Sequence, residues 1–262
     1  MPSRGALDFL PLWGLFLGTL AVILLSVEGG YLLGRRRRGR PEQEMEAPVG
    51  GMVGVILGLL AFMLAFTFGM ASERFETRRQ VLLDEVNAIG TAYLRADLLA
   101  EPHRAETRNL LREYVDVRLE AVQPGKLAHA IRRSEELHGL LWSQATAGAE
   151  SNPGSIMTGL CIQSLNEVID LHSKRLQAAL RSRIPGSIWA ALYLIAILGV
   201  AAMGYHAGLT GTSRTLAVLA LALAFSAVML LIADLDRPQE GLLKVSQQAM
   251  IDLRNTMNAP DH

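Results

Sequence analysis

The sequence predicts an all-α membrane protein, with four transmembrane helices and a helical bundle inserted between the second and third. Three observations carry this. The hydrophobic half of the 262 residues is clumped into four uncharged runs, Leu10 to Val27, Val49 to Ser72, Gly186 to Tyr205 and Thr215 to Ala233, each long enough to cross a bilayer core as a helix. Between the second and third runs the apolar residues recur at helical spacing instead, as in water-exposed helices that pack through one face. No proline interrupts Gly50 to Asp97, so the second span and the first bundle helix read as one rod.

The chain divides accordingly into a first transmembrane helix (1–34), an Arg-rich loop (35–48) and a second transmembrane helix (49–72). A water-exposed helical bundle (73–184), a transmembrane hairpin (185–234) and an amphipathic C-terminal tail (235–262) follow. In the first run the positive charges mostly follow the apolar stretch and no small-x-small site appears, which fits an uncleaved anchor rather than a signal peptide. Glu28 falls near the membrane boundary, where a carboxylate needs water or a partner. Arg35 to Arg38 with Arg40 is the strongest charge feature, and in a short loop the positive-inside rule holds such a block cytoplasmic.

Gly50, Gly54 and Gly58 form a small-xxx-small ladder suited to close helix packing. Phe62 and Phe66, four apart, share a face of the same helix; spacing alone fits lipid-facing or core aromatics. Further on, Leu82, Val86, Ile89 and Tyr93 make one seam of a packed helix. The acidic pair Asp84 and Glu85, followed by Asn87, reads as a solvated face; Asp84 and Asn87 share a face and could instead accept from Arg78 or Arg79 of a neighbouring subunit or line a vestibule for ions.

Pro102 starts a new helix with Leu110, Tyr114 and Val117 on one stripe and Arg104, Arg108, Arg112 and Arg118 largely elsewhere. Gln123, Pro124 and Gly125 end it. A third helix, Leu127 to about Gln144, offers Ile131, Leu137 and Leu141 to the core. After a loop from Ala145 to Gly154, a fourth runs from Ser155 to Arg183 with Leu165, Ile169, Leu176 and Leu180 on its apolar side. The connection His206 to Arg214 is short enough to make the last two spans an antiparallel hairpin. Asp234, Asp236 and Arg237 then form a charged cluster, Pro238 and Gly241 a turn, and Ser246 an N-cap for a tail carrying Met250, Leu253 and Met257, which packs on the membrane surface or the bundle.

The net charge is zero and gives no reason to expect a nucleic-acid partner. The single cysteine, Cys161, reads as a small core residue. His103, His129, His138, His172, His206 and His262 are scattered without metal-ligand spacing. Walker, nucleophile-elbow and dinucleotide motifs do not occur. The sequence therefore assigns no catalytic residue, no metal and no cofactor, and the expected class is not an enzyme.

The runs FMLAFTFGMASERFETRR (62–79), DEVNAIGTAYLRADLL (84–99) and LDRPQEG (235–241) resemble the bacterial bestrophin-like domain family, across nearly the whole chain. That family has a more distant likeness to bestrophins, pentameric anion channels with four membrane helices and an inserted helical domain. The resemblance implies a multi-pass protein of the cell inner membrane, a homo-oligomer in a lipid bilayer, with chloride or other small anions as partners. It makes Phe62 and Phe66 pore-constriction candidates on a pore-lining second helix, and Arg74, Arg78 and Arg79 pore-mouth candidates. Two departures stand out: Gly58 falls where a third bulky constriction residue is expected, and Phe75 follows Arg74 where the bestrophin pair has tryptophan.

Topology has two readings. The bestrophin arrangement puts the bundle and both termini in the cytoplasm, supported by Arg74, Arg78 and Arg79 at one end of the bundle and Lys174, Arg175, Arg181 and Arg183 at the other; the Arg35–Arg40 block and Arg214 favour the reverse. A function of another class also fits: a membrane-anchored sensor or scaffold whose bundle binds a ligand or protein. Oligomeric state separates the two, since a ring around the second helix is needed only for a channel.

Overall fold

The computed structural model describes residues 7–38, 46–151, 153–180, 182–211, 216–237 and 241–259. Arg40, Arg181, Arg214, Pro238 and His262 lie outside them. In chain order the α-helices are α1 (Leu12–Arg37), α2 (Glu46–Arg95), α3 (His103–Glu120), α4 (Leu127–Ser151), α5 (Ile156–Leu180), α6 (Gly186–Thr210), α7 (Leu216–Asp236) and α8 (Gln248–Met257). Among the described residues, α1, α2, α6 and α7 are long and apolar enough to cross a membrane. The helices fall into two compact units, residues 1–75 with 182–244 and residues 76–181 with 245–262.

The first unit holds the membrane helices. Its tightest contact is between α1 and α6, where glycines let backbone meet backbone: a Cβ on Gly30 would lie 1.9 Å from the Ala201 carbonyl oxygen, one on Gly204 2.2 Å from that of Val27, and one on Gly208 2.4 Å from that of Tyr31. Dispersion across such an approach replaces the hydrophobic drive that lipid cannot supply. Leu15, Ile23 and Val27 on α1 pack with Leu192, Ala196 and Val200 on α6 and with Phe225 and Met229 on α7. Polar side chains in these spans are satisfied locally: Thr19 shares a 2.6 Å hydrogen bond with Tyr193, and the Ser226 hydroxyl donates to the Ala222 carbonyl at 2.8 Å.

The polar end of this unit is tied by ion pairs and backbone contacts. Arg183 meets the Asp8 carboxylate and donates to the Asp236 carbonyl. The Ile184 amide donates to Asp236 at 3.0 Å, and Arg237 reaches the carbonyls of Leu7 and Leu10 at 2.7 and 2.6 Å. Asp234 accepts the Leu242 and Leu243 amides at 2.8 and 3.1 Å. Gly241 is required there, because a Cβ would sit 2.1 Å from an Asp234 oxygen. At the other end Gly211 closes α6 in the left-handed conformation, φ 74°, with its amide on the Ala207 carbonyl.

The second unit is a bundle of the C-terminal part of α2 with α3, α4, α5 and α8. Leu82, Ile89 and Tyr93 are buried as the seam requires, against Leu111, Tyr114, Leu137, Leu141, Leu165 and Val168. Val86 is partly buried and packs on this core.

Several local expectations are corrected. α1 continues through Arg37, since arginine is a good helix former and favourable against the C-terminal dipole. The segment from Ala145 that reads as a loop is instead the last turns of α4, which runs to Ser151 with Ala145 and Gly148 buried; alanine's helix propensity outweighs the small-residue pattern. α5 ends at Leu180, and its buried face is Cys161, Leu165, Val168, Leu171 and His172, with Ile169, Leu176 and Leu180 only partly covered. Ile131 is likewise only partly covered. Arg118, expected away from the stripe, is buried. The tail packs on the bundle through Met250 and Met257. Gln247 precedes its helix, while the Ser246 hydroxyl accepts only the Gln248 amide at 3.3 Å.

Candidate functional site

Two features of the molecule call for a functional reading: the uncovered face of α2 in the membrane unit and a polar cluster inside the bundle. Along α2, Met52, Val55, Leu59, Phe62 and Phe66 are exposed and step by three or four residues, so they form one stripe. Phe62 is 66% and Phe66 57% exposed, large values for phenylalanine in an apolar helix. The opposite side, Val53, Leu60 and Thr67, is buried. Of the glycine ladder, a Cβ on Gly50 would lie 3.3 Å from Nε2 of His206 on α6, whereas one on Gly54 or Gly58 would have nothing of another part of its own chain within 4 Å. The close-packing glycines within the chain are those between α1 and α6; sequence reading passed over them because Gly30 and Gly204 lie far apart along the chain.

The three arginines after the phenylalanines differ. Arg79 is exposed and pairs with Glu76 at 3.2 Å, Arg74 is half-buried, and Arg78 is only 7% exposed. Asp84 accepts a 2.9 Å hydrogen bond from Gln80 and, with Asn87, Thr91, Glu167 and Lys174, lines an open surface cleft.

Its neighbour Glu85 is the residue that turns inward. The carboxylate is fully buried; it forms an ion pair with the Arg118 guanidinium at 2.9 Å and accepts hydrogen bonds from the Arg175 guanidinium and, at 3.1 Å, from the Tyr114 hydroxyl. Burial pushes this carboxyl upward, but Arg118 and Arg175 outweigh it and hold it below the usual carboxylate range. Tyr114 also lies 3.3 Å from Nδ1 of His172. The rings of His138 and His172 meet edge to face with centroids 4.9 Å apart, and Tyr114 is 5.2 Å from His138. Burial, with Arg118 next, lowers His138 to about 4 and His172 to about 3. All four main bundle helices contribute: Glu85 from α2, Tyr114 and Arg118 from α3, His138 from α4, His172 and Arg175 from α5.

Sequence reading missed this cluster, although each member stands at an apolar phase. Glu85 falls between Leu82 and Ile89, Arg118 four residues after Tyr114, and His172 seven after Leu165. Among the described residues no group of three or more histidine, cysteine, aspartate or glutamate side chains is placed to hold a metal ion.

Fold and helix composition define an all-α, four-span membrane protein with a separate helical bundle. The Bestrophin-like domain matches residues 20–250, and the chain belongs to that family. A bacterial bestrophin homologue from Klebsiella pneumoniae has the same fold, with a TM-score of 0.64 at 14% identity over 93% of this chain and 94% of the homologue. A variant of that homologue with threonine in place of a leucine superposes with a TM-score of 0.62 at 15% identity, over 94% and 96% of the two chains. No curated protein sequence matches the chain.

Proposed function

We propose that this bestrophin-like membrane protein assembles as a homo-oligomeric anion channel of the inner membrane, with α2 lining the path and Phe62 and Phe66 forming its constriction. The observation that carries the reading is the uncovered stripe on α2. Of the four membrane helices α2 is the least covered by its own chain, with 17% of its most apolar window buried against 22–33% in the others. That stripe is flanked by Gly54 and Gly58, which are open to a close neighbour. Family membership and the shared fold support the same assignment.

In the assembled ring, the phenylalanine side chains would close the path by excluding water, while their electropositive edges tolerate a partly dehydrated anion. Arg74 and Arg79, further along the same helix, raise the local anion concentration, and Arg78 adds positive potential from its buried position. Gly58 leaves room where a third ring would stand, so the constriction is two rings deep.

Chloride efflux from liposomes holding the purified chain tests this. Efflux above empty vesicles is expected, and replacing both Phe62 and Phe66 by alanine should raise it. Absence of flux, or flux indifferent to the double substitution, removes the proposal. A sensor role for the bundle is the second reading, favoured by the buried polar cluster around Glu85, which lipid-spanning alone does not require.

A further inference from the structure

We propose that His138 and His172 form a proton-binding site in the bundle, at which acid opens the polar core and releases the Glu85 segment of α2. This inference concerns the bundle alone and stands or falls apart from anion conduction.

The hydrogen-bond pattern fixes where the proton goes. Tyr114 has one hydroxyl hydrogen, and the buried carboxylate of Glu85, which can only accept, takes it at 3.1 Å. The contact between the Tyr114 oxygen and His172 Nδ1 at 3.3 Å must then run the other way, with Nδ1–H as donor. His172 is thereby held in the Nδ1–H tautomer, and its Nε2 is a bare lone pair. That atom is buried and has no partner in the structure, and Nε2 of His138 is in the same condition. A neutral imidazole carries one hydrogen and has one nitrogen left to take a second, so the two rings offer two places for a proton to bind in one core.

The surroundings decide the consequence. The charged and titratable groups facing the pair are Glu85 from α2, Tyr114 and Arg118 from α3, and Arg175 from α5, besides the two histidines themselves. Two guanidiniums against one carboxylate already leave the cluster with one excess positive charge. A third positive charge in a region shut off from water is accommodated only if the helices part and hydrate it. Protons therefore bind the opened core in preference to the closed one, and lowering the pH shifts the population toward it. The window follows from the shifts: each histidine titrates from 6.5 in the opened state toward about 4 or about 3 in the closed one. Within it, the opening equilibrium rises about tenfold per pH unit for each histidine. Opening separates Glu85 from Arg118, Arg175 and Tyr114, the groups that clamp α2 to α3 and α5.

Amide hydrogen exchange on the full chain in detergent micelles, at about pH 7.5 and about pH 5 and corrected for the intrinsic rate, tests the proposal. Protection over residues 82–90, 110–120, 134–142 and 165–176 is expected to fall at the lower pH by about 30-fold for each histidine that takes up a proton, and by roughly 1000-fold when both do. It should stay level when His138 and His172 are both replaced by glutamine. Unchanged protection in the wild type, or an equal fall in the double variant, overturns the proposal. If the variant does not fold, the histidine ring resonances of the wild type decide: two of the six should remain neutral below pH 6 until exchange accelerates. Six ordinary titrations near pH 6.5 would refute the site.

Discussion

Glu85 of α2 and Arg118 of α3 meet at 2.9 Å with both side chains closed to water, 0% and 3% exposed. Because Arg175 takes the other carboxylate oxygen, removing Glu85 leaves two guanidiniums facing each other in the core. Glu85→Ala is expected to cost about 3–5 kcal/mol, the usual result of breaking a buried pair. Denaturant unfolding followed at the bundle should register it, and a loss below about 1 kcal/mol would mean that water reaches the site.

Cys161 is buried in the bundle core, and burial raises its thiol to about 11, with Arg95 opposing only in part. A thiol so placed is almost wholly protonated at about pH 8 and has no access to reagent. Labelling by iodoacetamide should be slower than for an unfolded control by more than a hundredfold, and should track bundle opening. Fast labelling of the folded chain would place Cys161 at a surface.

The two sets of glycines should respond differently to added bulk. At Gly204 a Cβ would lie 2.2 Å from the Val27 carbonyl oxygen, so Gly204→Leu must separate α1 from α6, at a cost of about 3 kcal/mol. A Cβ at Gly58 has nothing of another part of its own chain within 4 Å, and Gly58→Leu should leave the fold intact. If α2 faces other copies, the same change should weaken the oligomer, as read by size and mass in detergent.

Arg237 holds the residues before α1 through the carbonyls of Leu7 and Leu10. Charge-assisted hydrogen bonds of this kind contribute about 1.5–3 kcal/mol each. In Arg237→Ala the stretch ahead of Trp13 should become open to limited proteolysis, while the bundle resists as in the wild type.

Spans and bundle were legible in the sequence because each rests on a repeating local signal. An uncharged run announces a membrane helix, and the spacing of Leu82, Ile89 and Tyr93 announces a packed one. The close approach of α1 to α6 was not legible, because it depends on Gly30 and Gly204 meeting across the chain. Nor was the polar cluster, whose members Glu85, Arg118, His138 and His172 each look like an ordinary polar residue of an amphipathic helix. Only their phase, at positions where an apolar side chain belongs, distinguishes them. Phe62 and Phe66 are an intermediate case: spacing put them on one face, and the structure adds that both stand more than half exposed in the single chain.

A cysteine at Phe66, in a Cys161→Ala background, gives the most direct test that α2 lines the conducting path. With the protein in liposomes, a charged thiosulfonate added from the aqueous phase should react at Phe66→Cys and block chloride flux, and a reducing agent should restore it. A thiol that stays unmodified because lipid covers it, or one whose modification leaves the flux unchanged, would contradict a pore lined by α2.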